Sequence, residues 1–337
     1  DQLKMEQNYI YAPALTSEFR CKVPLKETRQ LFIVNGKVQG GKSPFSLRLK
    51  EGEVMKEMLQ IISVRHKSYK EHLATQQDFH FGKGSSGKII QCSHTFSPDR
   101  FRTTEKVTIS LERDAVAEFY IMQNEHNNAE HSTSYEVNLG AGAFLKMVFL
   151  SLHGGVIRND IFLDFNEKHA ECDLAGLYLT DSKQLMDNNI YVNHLVPECN
   201  SNQLFKGILD DEGVARFYGR INVAPDAQKT EAYQANHNLL ISDKAKAYTS
   251  PQLEIYADDV KCSHGATIGR LNEDELFYMR TRGIPAAEAR ILQQKAFAYE
   301  VLEKISNTEL RERMLSLVER RLRGEFSHCS TCIRNCC

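Results

Sequence analysis

The chain has 337 residues, of which 42 % are hydrophobic and 26 % charged, with a formal net charge of −2. This balance provides material for a sizeable core and excludes wholesale disorder. The lack of a basic excess argues against a nucleic-acid or anionic-membrane surface. No apolar run of about 18 residues is present to span a bilayer, and no signal peptide is expected at the N-terminus.

Residues 1–86 read as a mixed segment. Leu31-Phe32-Ile33-Val34 has the character of a strand and runs into Asn35-Gly36, a turn signal. Gly36-Lys37-Val38-Gln39-Gly40-Gly41-Lys42-Ser43 fits the phosphate-loop spacing G-x-x-x-x-G-K-S. Such a loop must open a helix, so that amides and dipole face the phosphates. Here Pro44 follows at once, and Phe45 to Leu49 alternates as a strand. A glycine-rich hairpin is therefore the expected structure, without nucleotide hydrolysis. Val54 to Tyr69 carries a weak helical pattern.

From residue 87 to 270 the texture is strand and turn. Successive runs include 106–111, 117–121, 135–139, 144–150, 160–165, 190–192, 217–223 and 253–256, separated by Gly, Asn and Asp. Small residues recur after turns at Ala115, Gly140 to Ala143, Ala170, Gly213 to Ala215, Ala227 and Ala245. Several intervals are 27 to 30 residues and one is 45, which can hide two coils. Stacked coils of a solenoid produce this spacing; a β-sandwich is the competing architecture. Glu125 to His131 holds two histidines, which read as part of a solvated loop rather than a metal cluster.

At residue 271 helical periodicity begins. Asn272 with Glu275 three residues later predicts a capping box, for a helix ending near Arg282 at Gly283. Pro285 opens a second helix with an apolar stripe from Ile291 to Ile305. A third, from Thr308, stops at Gly324, with Arg320, Arg321 and Arg323 in its last turn, where cations favour the helix dipole. Residues 271–324 thus form a C-terminal helical domain, followed by a cysteine-rich tail over 325–337.

Of nine cysteines, Cys21, Cys92, Cys172, Cys199 and Cys262 are scattered. They read as reduced, mostly buried thiols of a cytoplasmic protein. Cys329, Cys332, Cys336 and Cys337 crowd the tail beside His328, as ligands or as oxidation-prone thiols. Cys262 and His264 lie two residues apart, so in a strand they share one face. Thiolate and imidazole suit a soft metal, but two ligands cannot close a site. Packed core residues are the plainer alternative.

The stretch Pro251-Gln252-Leu253-Glu254-Ile255-Tyr256-Ala257-Asp258-Asp259-Val260-Lys261-Cys262-Ser263-His264-Gly265-Ala266-Thr267-Ile268-Gly269 closely resembles the signature of the SufB/SufD family of iron–sulfur cluster assembly proteins. The resemblance extends through Leu276 to Ile284, Ser201 to Leu209 and Ala227 to Thr230. It covers roughly residues 85–322. It is SufD-like: His264-Gly265-Ala266-Thr267 stands where SufB-like chains have His-Glu-Ala-Thr. Ala235-Asn236-His237-Asn238-Leu239-Leu240 stands where they have Gln-Cys-Asp-Ser-Leu-Leu, with Asn236 at the place of their cysteine.

The resemblance implies a right-handed parallel β-helix with flanking helices. It further implies pairing with a SufB-like subunit through the end of the β-helix, and docking of a SufC-like ATPase on the C-terminal helices. His264, with Cys262 beside it, would face the partner's cysteine across a transient iron or iron–sulfur site, with nothing bound tightly to the isolated chain. The expected role is a scaffold without its own catalysis, the alternative being a purely structural β-helix. Self-pairing of the exposed end into a homodimer is plausible without the partner. The tail after Gly324 is not part of the family pattern.

Overall fold

The computed structural model describes residues 25–65, 71–95 and 100–324. It is mainly β, a parallel solenoid of about eight turns followed by three helices. Each full coil gives one strand to each of two sheets. The ten-stranded sheet contains β1 (Thr28–Val34), β2 (Lys37–Val38), β4 (Met58–Arg65), β6 (Ser86–Thr95) and β8 (Val116–Asn124), then β10 (Phe144–His153), β12 (Glu171–Thr180), β14 (Asn200–Leu209), β16 (Glu231–Leu240) and β18 (Lys261–Gly269). The eight-stranded sheet contains β3 (Phe45–Leu49), β5 (His72–Phe81), β7 (Phe101–Leu111) and β9 (Ala129–Leu139), then β11 (Val156–Phe165), β13 (Leu185–His194), β15 (Val214–Val223) and β17 (Lys246–Ile255). Among the described strands only β1 and β2 pair antiparallel.

The two sheets differ in how their sequences are written. Along β13, buried and half-buried residues alternate strictly, as for a strand with one face on a core and one toward solvent. Along β10 every residue from Met147 to His153 is buried. That sheet has the solenoid interior on one face and helices on the other, so most side chains of both sets are apolar, with Ser151 and His153 as buried polar exceptions. Val137, Leu163, Val192 and Ile221 stack in register through four coils of the interior. Phe45, Phe79 and Phe119 meet at centroid distances of 5.7 and 5.1 Å. Fully burying each such side chain contributes about 1.5–3 kcal/mol.

A corner rule explains the recurring small residues. Gly84, Asp114, Gly142, His169, Glu198 and Lys229 have positive φ. Each is followed by a residue that is fully buried: Ser85, Ala115, Ala143, Ala170, Cys199 and Thr230. The chain turns back sharply at the left-handed residue, and only a small side chain fits under the corner. The 45-residue interval therefore does conceal a coil, whose corner residue is Cys199. Gly213 and Ala245 belong to the opposite edge of the solenoid, near the turns with positive φ at Ser182 and Asp211.

Two expectations are corrected. The solenoid does not begin at residue 87, because β1 to β6 already pair in the same two sheets. The helical pattern of 54–69 belongs instead to β4, where Met58, Leu59, Ile61 and Ile62 are all buried. A strand covered on both faces is apolar in consecutive positions and mimics a helical stripe.

The helices are α1 (Glu273–Thr281), α2 (Ala286–Leu302) and α3 (Thr308–Leu322). Asn272 caps α1 by accepting from the amides of Asp274 and Glu275, while its own amide donates to Gln293 rather than closing the box on Glu275. Gly283 and Gly324 follow α1 and α3 with positive φ. Ala298, Val301, Leu302, Met314 and Val318 pack against Ile62, Ile90, Val148, Leu177 and neighbouring residues on the outer face of the ten-stranded sheet.

Polar anchors fix the helices in place. Lys206, buried within β14, pairs with Glu300 and donates to the Phe297 carbonyl at 3.3 Å. Lys304 pairs with Asp173 at 3.2 Å. Arg321, in the last turn of α3, is buried and bonded to the solenoid wall.

Candidate functional site

The solenoid ends at β17 and β18, each the last strand of its sheet with one hydrogen-bonded neighbour, β15 and β16 respectively. Their outer edges carry the unpaired amides and carbonyls of an open sheet. β18 pairs with β16 so that Cys262 lies beside Ala232 and His264 beside Gln234. Ala232, Gln234, Asn236 and Asn238 form the buried, inward row of β16. The parallel register therefore continues that row through Cys262, His264, Ala266 and Ile268. These residues stand at the mouth of the solenoid, where no further coil among the described residues covers them.

Cys262 is half-buried against the cluster of Ile221, Val223, Ala227, Ala232 and Ala257. Burial pushes its thiol up, countered in part by the Ala232 backbone. His264 is exposed. Below it, Gln234 donates from Nε2 to Gln203 Oε1 at 2.7 Å, while its own buried Oε1 lacks a partner among the described residues. A thiol and an imidazole on one inward row are donor types that suit a soft metal. Among the described residues no group of three or more His, Cys, Asp or Glu is placed to hold a metal ion. Two donors cannot close a four-coordinate site, so any metal held here would need ligands from elsewhere.

Asn236 sits one coil deeper than the mouth and is fully buried. Its amide donates to the Tyr178 hydroxyl at 2.9 Å and to the Phe205 carbonyl at 3.1 Å. Tyr178 donates to Asn238 at 2.7 Å, and Asn238 donates back to Asn236 at 2.8 Å. The three side chains close a ring of hydrogen bonds with no ionisable sulfur in it. Burial raises the Tyr178 phenol well above its ordinary value, so the ring stays neutral.

The other sequence candidates resolve differently. Gly36 to Ser43 lies around the β1–β2 hairpin, with no helix behind it, and Ser43 Oγ accepts from the Val38 amide at 2.8 Å. The segment Glu125 to His131 is solvated only at its tip, over 126–128. Glu125, just after β8, and His131, within β9, are both buried, with His131 Nδ1 2.8 Å from Glu125 and Nε2 3.7 Å from Glu105. Burial alone would lower the His131 pKa, but the two carboxylates prevail and raise it to about 10. Thr95 also hydrogen-bonds Glu125. This buried charged corner was missed, although coil-length spacing of polar residues signals it: Thr75 meets Glu105, and Thr95 meets Glu125, one turn apart. Cys329, Cys332, Cys336, Cys337 and His328 lie outside the described residues.

Comparisons with known proteins agree with this architecture. Residues 66–297 match the family model described as "SUF system FeS cluster assembly, SufBD core domain". The chain is 32 % identical over 256 residues to the iron–sulfur cluster assembly protein SufD of Escherichia coli, covering 76 % of this chain and 59 % of that protein. It is 35 % identical over 198 residues to an iron–sulfur cluster assembly SufBD family protein of Synechocystis, covering 58 % of this chain and 43 % of that one. It is also 32 % identical over 213 residues to the protein ABCI7, chloroplastic, of Arabidopsis thaliana, covering 62 % and 44 % of the two chains. This chain thus spans about half the length of the curated relatives it matches. With a family model covering most of the solenoid and a SufD among its relatives, the chain belongs to the SufB/SufD family of iron–sulfur cluster assembly proteins, as a SufD-like member.

Proposed function

We propose that this chain is the SufD-like scaffold subunit of a Suf complex, and that its open end pairs with a SufB-like subunit. The observation that carries this is the end coil itself: two strands with unpaired edges, with Cys262 and His264 continuing the inward row. Strand addition across such an edge satisfies its backbone groups and excludes water from the mouth. The iron or nascent cluster is cargo held between the subunits, with Cys262 and His264 as this chain's ligands and the rest supplied by the partner. Imidazolium and thiol must each lose a proton to bind it as neutral imidazole and thiolate. The closed Tyr178–Asn236–Asn238 ring supplies no thiol, so the inner ligand belongs to the partner.

A SufC-like ATPase would dock on the helical end. Phe277 and Tyr278 on α1 are 67 % and 58 % exposed, an apolar surface on an element already fixed to the solenoid. Hydrolysis belongs to that ATPase, and this chain has no catalytic step of its own. No helix of the described residues is long and apolar enough to cross a membrane, and the proposed setting is the cytoplasm. The purely structural reading rests on the exposure of His264: an exposed imidazole need not touch metal. In the absence of SufB, two open ends can pair as a homodimer.

The test is anaerobic co-purification of this chain with SufB-like and SufC-like partners, with and without His264→Ala. Loss of iron and sulfide from an intact complex supports the ligand role. Unchanged cluster content in an intact complex leaves the chain a passive scaffold.

A further inference from the structure

One inward row of the ten-stranded sheet changes character toward the mouth. Its register runs through Leu59, Ile89, Phe119, Met147 and Leu174 in successive coils, all buried and apolar. The next three positions are Gln203, Gln234 and His264. Both glutamines are buried, Gln234 to 3 % exposure. Polar side chains thus replace hydrophobic ones only in the two coils beneath His264. The Gln234 amide has a defined pose. Its Nε2 donates to Gln203 Oε1 at 2.7 Å, one coil deeper. Gly219 on β15 leaves room for the head group, since a Cβ there would collide with the amide.

The oxygen and nitrogen of a primary amide diverge from one carbon. With Nε2 aimed at Gln203, Oε1 is turned away from the deeper coil, and it is buried without a partner among the described residues. A buried acceptor left unpaired is costly, so an N–H brought to it is strongly favoured. The next side chain in the row is His264. We infer that Gln234 is a positioning residue for His264: when the mouth closes, Gln234 Oε1 accepts one ring N–H of the imidazole. That bond fixes the tautomer and leaves the second ring nitrogen bare for the metal, as the outer partner of a ligating histidine does. The inference rests on the reading of His264 as this chain's iron ligand. It adds that the ligand is oriented by an amide one coil deeper, which does not itself touch the metal.

The test uses the complex assembled with SufB-like and SufC-like partners, in which this chain alone carries isotope-labelled histidine. In the metal-free complex, solid-state nitrogen NMR should show a single neutral tautomer for the ring whose signal vanishes in His264→Gln. Gln234→Met removes the acceptor at similar volume and should give mixed tautomers. In the iron-loaded complex it should lower the chelator concentration that strips half the iron by about 10- to 100-fold, with an unchanged thermal melt. Gln234→Glu should restore both readouts, because a carboxylate accepts the ring N–H and can also take the unpartnered Nε2 of Gln203. Should Gln234→Met fail to assemble, Gly219→Ala displaces the same amide and should reproduce both effects. Mixed tautomers in the wild type would overturn the inference, as would an iron loss that Gln234→Glu does not rescue, which reports packing alone. Iron lost in His264→Ala but held normally in Gln234→Met overturns this inference and leaves the ligand reading standing. Iron held in His264→Ala overturns the ligand reading itself, and the inference with it.

Discussion

Arg321, in the last turn of α3, donates from Nη1 to Asp181 Oδ2 at 2.6 Å and from Nε to the Leu152 carbonyl at 2.8 Å. Both partners of the ion pair are buried, and the contact joins the last helix to two adjacent coils. Arg321→Met leaves the Asp181 carboxylate buried without its countercharge. It should cost about 3–5 kcal/mol in chemical denaturation. Adding Asp181→Leu should restore much of that loss, since a well-packed apolar pair replaces a buried ion pair at little cost. A single-variant cost within the range of a surface change would show that the helix end is held otherwise.

The buried corner of Glu105, Glu125 and His131 predicts an alkaline limb in stability. With its folded pKa raised to about 10, against ~6.5 unfolded, His131 contributes stability fully present below pH ~6.5. That contribution is lost as pH rises toward 10. His131→Gln should flatten this limb of a Tm-against-pH curve. The same slope in wild type and variant would contradict the pairing.

His153 and His194 predict the opposite limb. Burial, and for His153 the Arg321 guanidinium as well, lowers their pKa values to about 4 and about 3. Buried neutral imidazoles contribute stability that is present above their unfolded value and lost as pH falls below it. His194→Phe should reduce the fall in Tm between pH 6.5 and 4 and keep the stacking with Phe165, which lies at a centroid distance of 4.4 Å.

Two glycines should resist substitution. A Cβ at Gly176 would collide with the Phe205 ring, and one at Gly207 with the Tyr178 ring and the Asn238 amide. Gly207→Ala is expected to destabilise by about 1–3 kcal/mol through overpacking, and to break the hydrogen-bond ring around Asn236. Gly265 faces open space at the solenoid mouth. Gly265→Ala should leave stability unchanged within about 0.5 kcal/mol. A large effect there would mean that the end coil is packed in the isolated chain.

Because burial raises the Cys262 thiol, metal uptake at the proposed site must displace a proton. Iron uptake by the assembled complex should weaken with falling pH, by up to about tenfold per unit for that one proton. Cys262→Ser should flatten the profile. An unaltered profile would remove Cys262 from the ligand set and leave His264 alone.

Much of the solenoid was legible because its coils repeat. Ala115, Ala143 and Ala170 mark successive corners, and the open sheet alternates clearly. Part of what failed did so because strands with two buried faces lose their alternation. β4 therefore resembled a helix, and the N-terminal coils resembled a separate segment. Cys199 and Thr230 hid two further corners because the position requires smallness rather than alanine. At the candidate site, the common face of Cys262 and His264 could be read from their spacing. The charged corner is signalled only by spacings of one coil length, which make Glu105, Glu125 and His131 neighbours once the coils are stacked in register.

The anchors of α2 and α3 are spread along the stack: Ser306 on Tyr120 and Lys88, Arg321 on Leu152, Lys304 on Asp173, and Glu300 on Lys206. In mechanical terms they form a splint over the middle coils. A load applied to the helices is shared by β6, β8, β10, β12 and β14, which must shift together. No ion pair among the described residues ties β18 to a helix. The terminal strand is thus held by its ladder to β16 rather than by the splint, so a load on the middle coils reaches it only through that ladder.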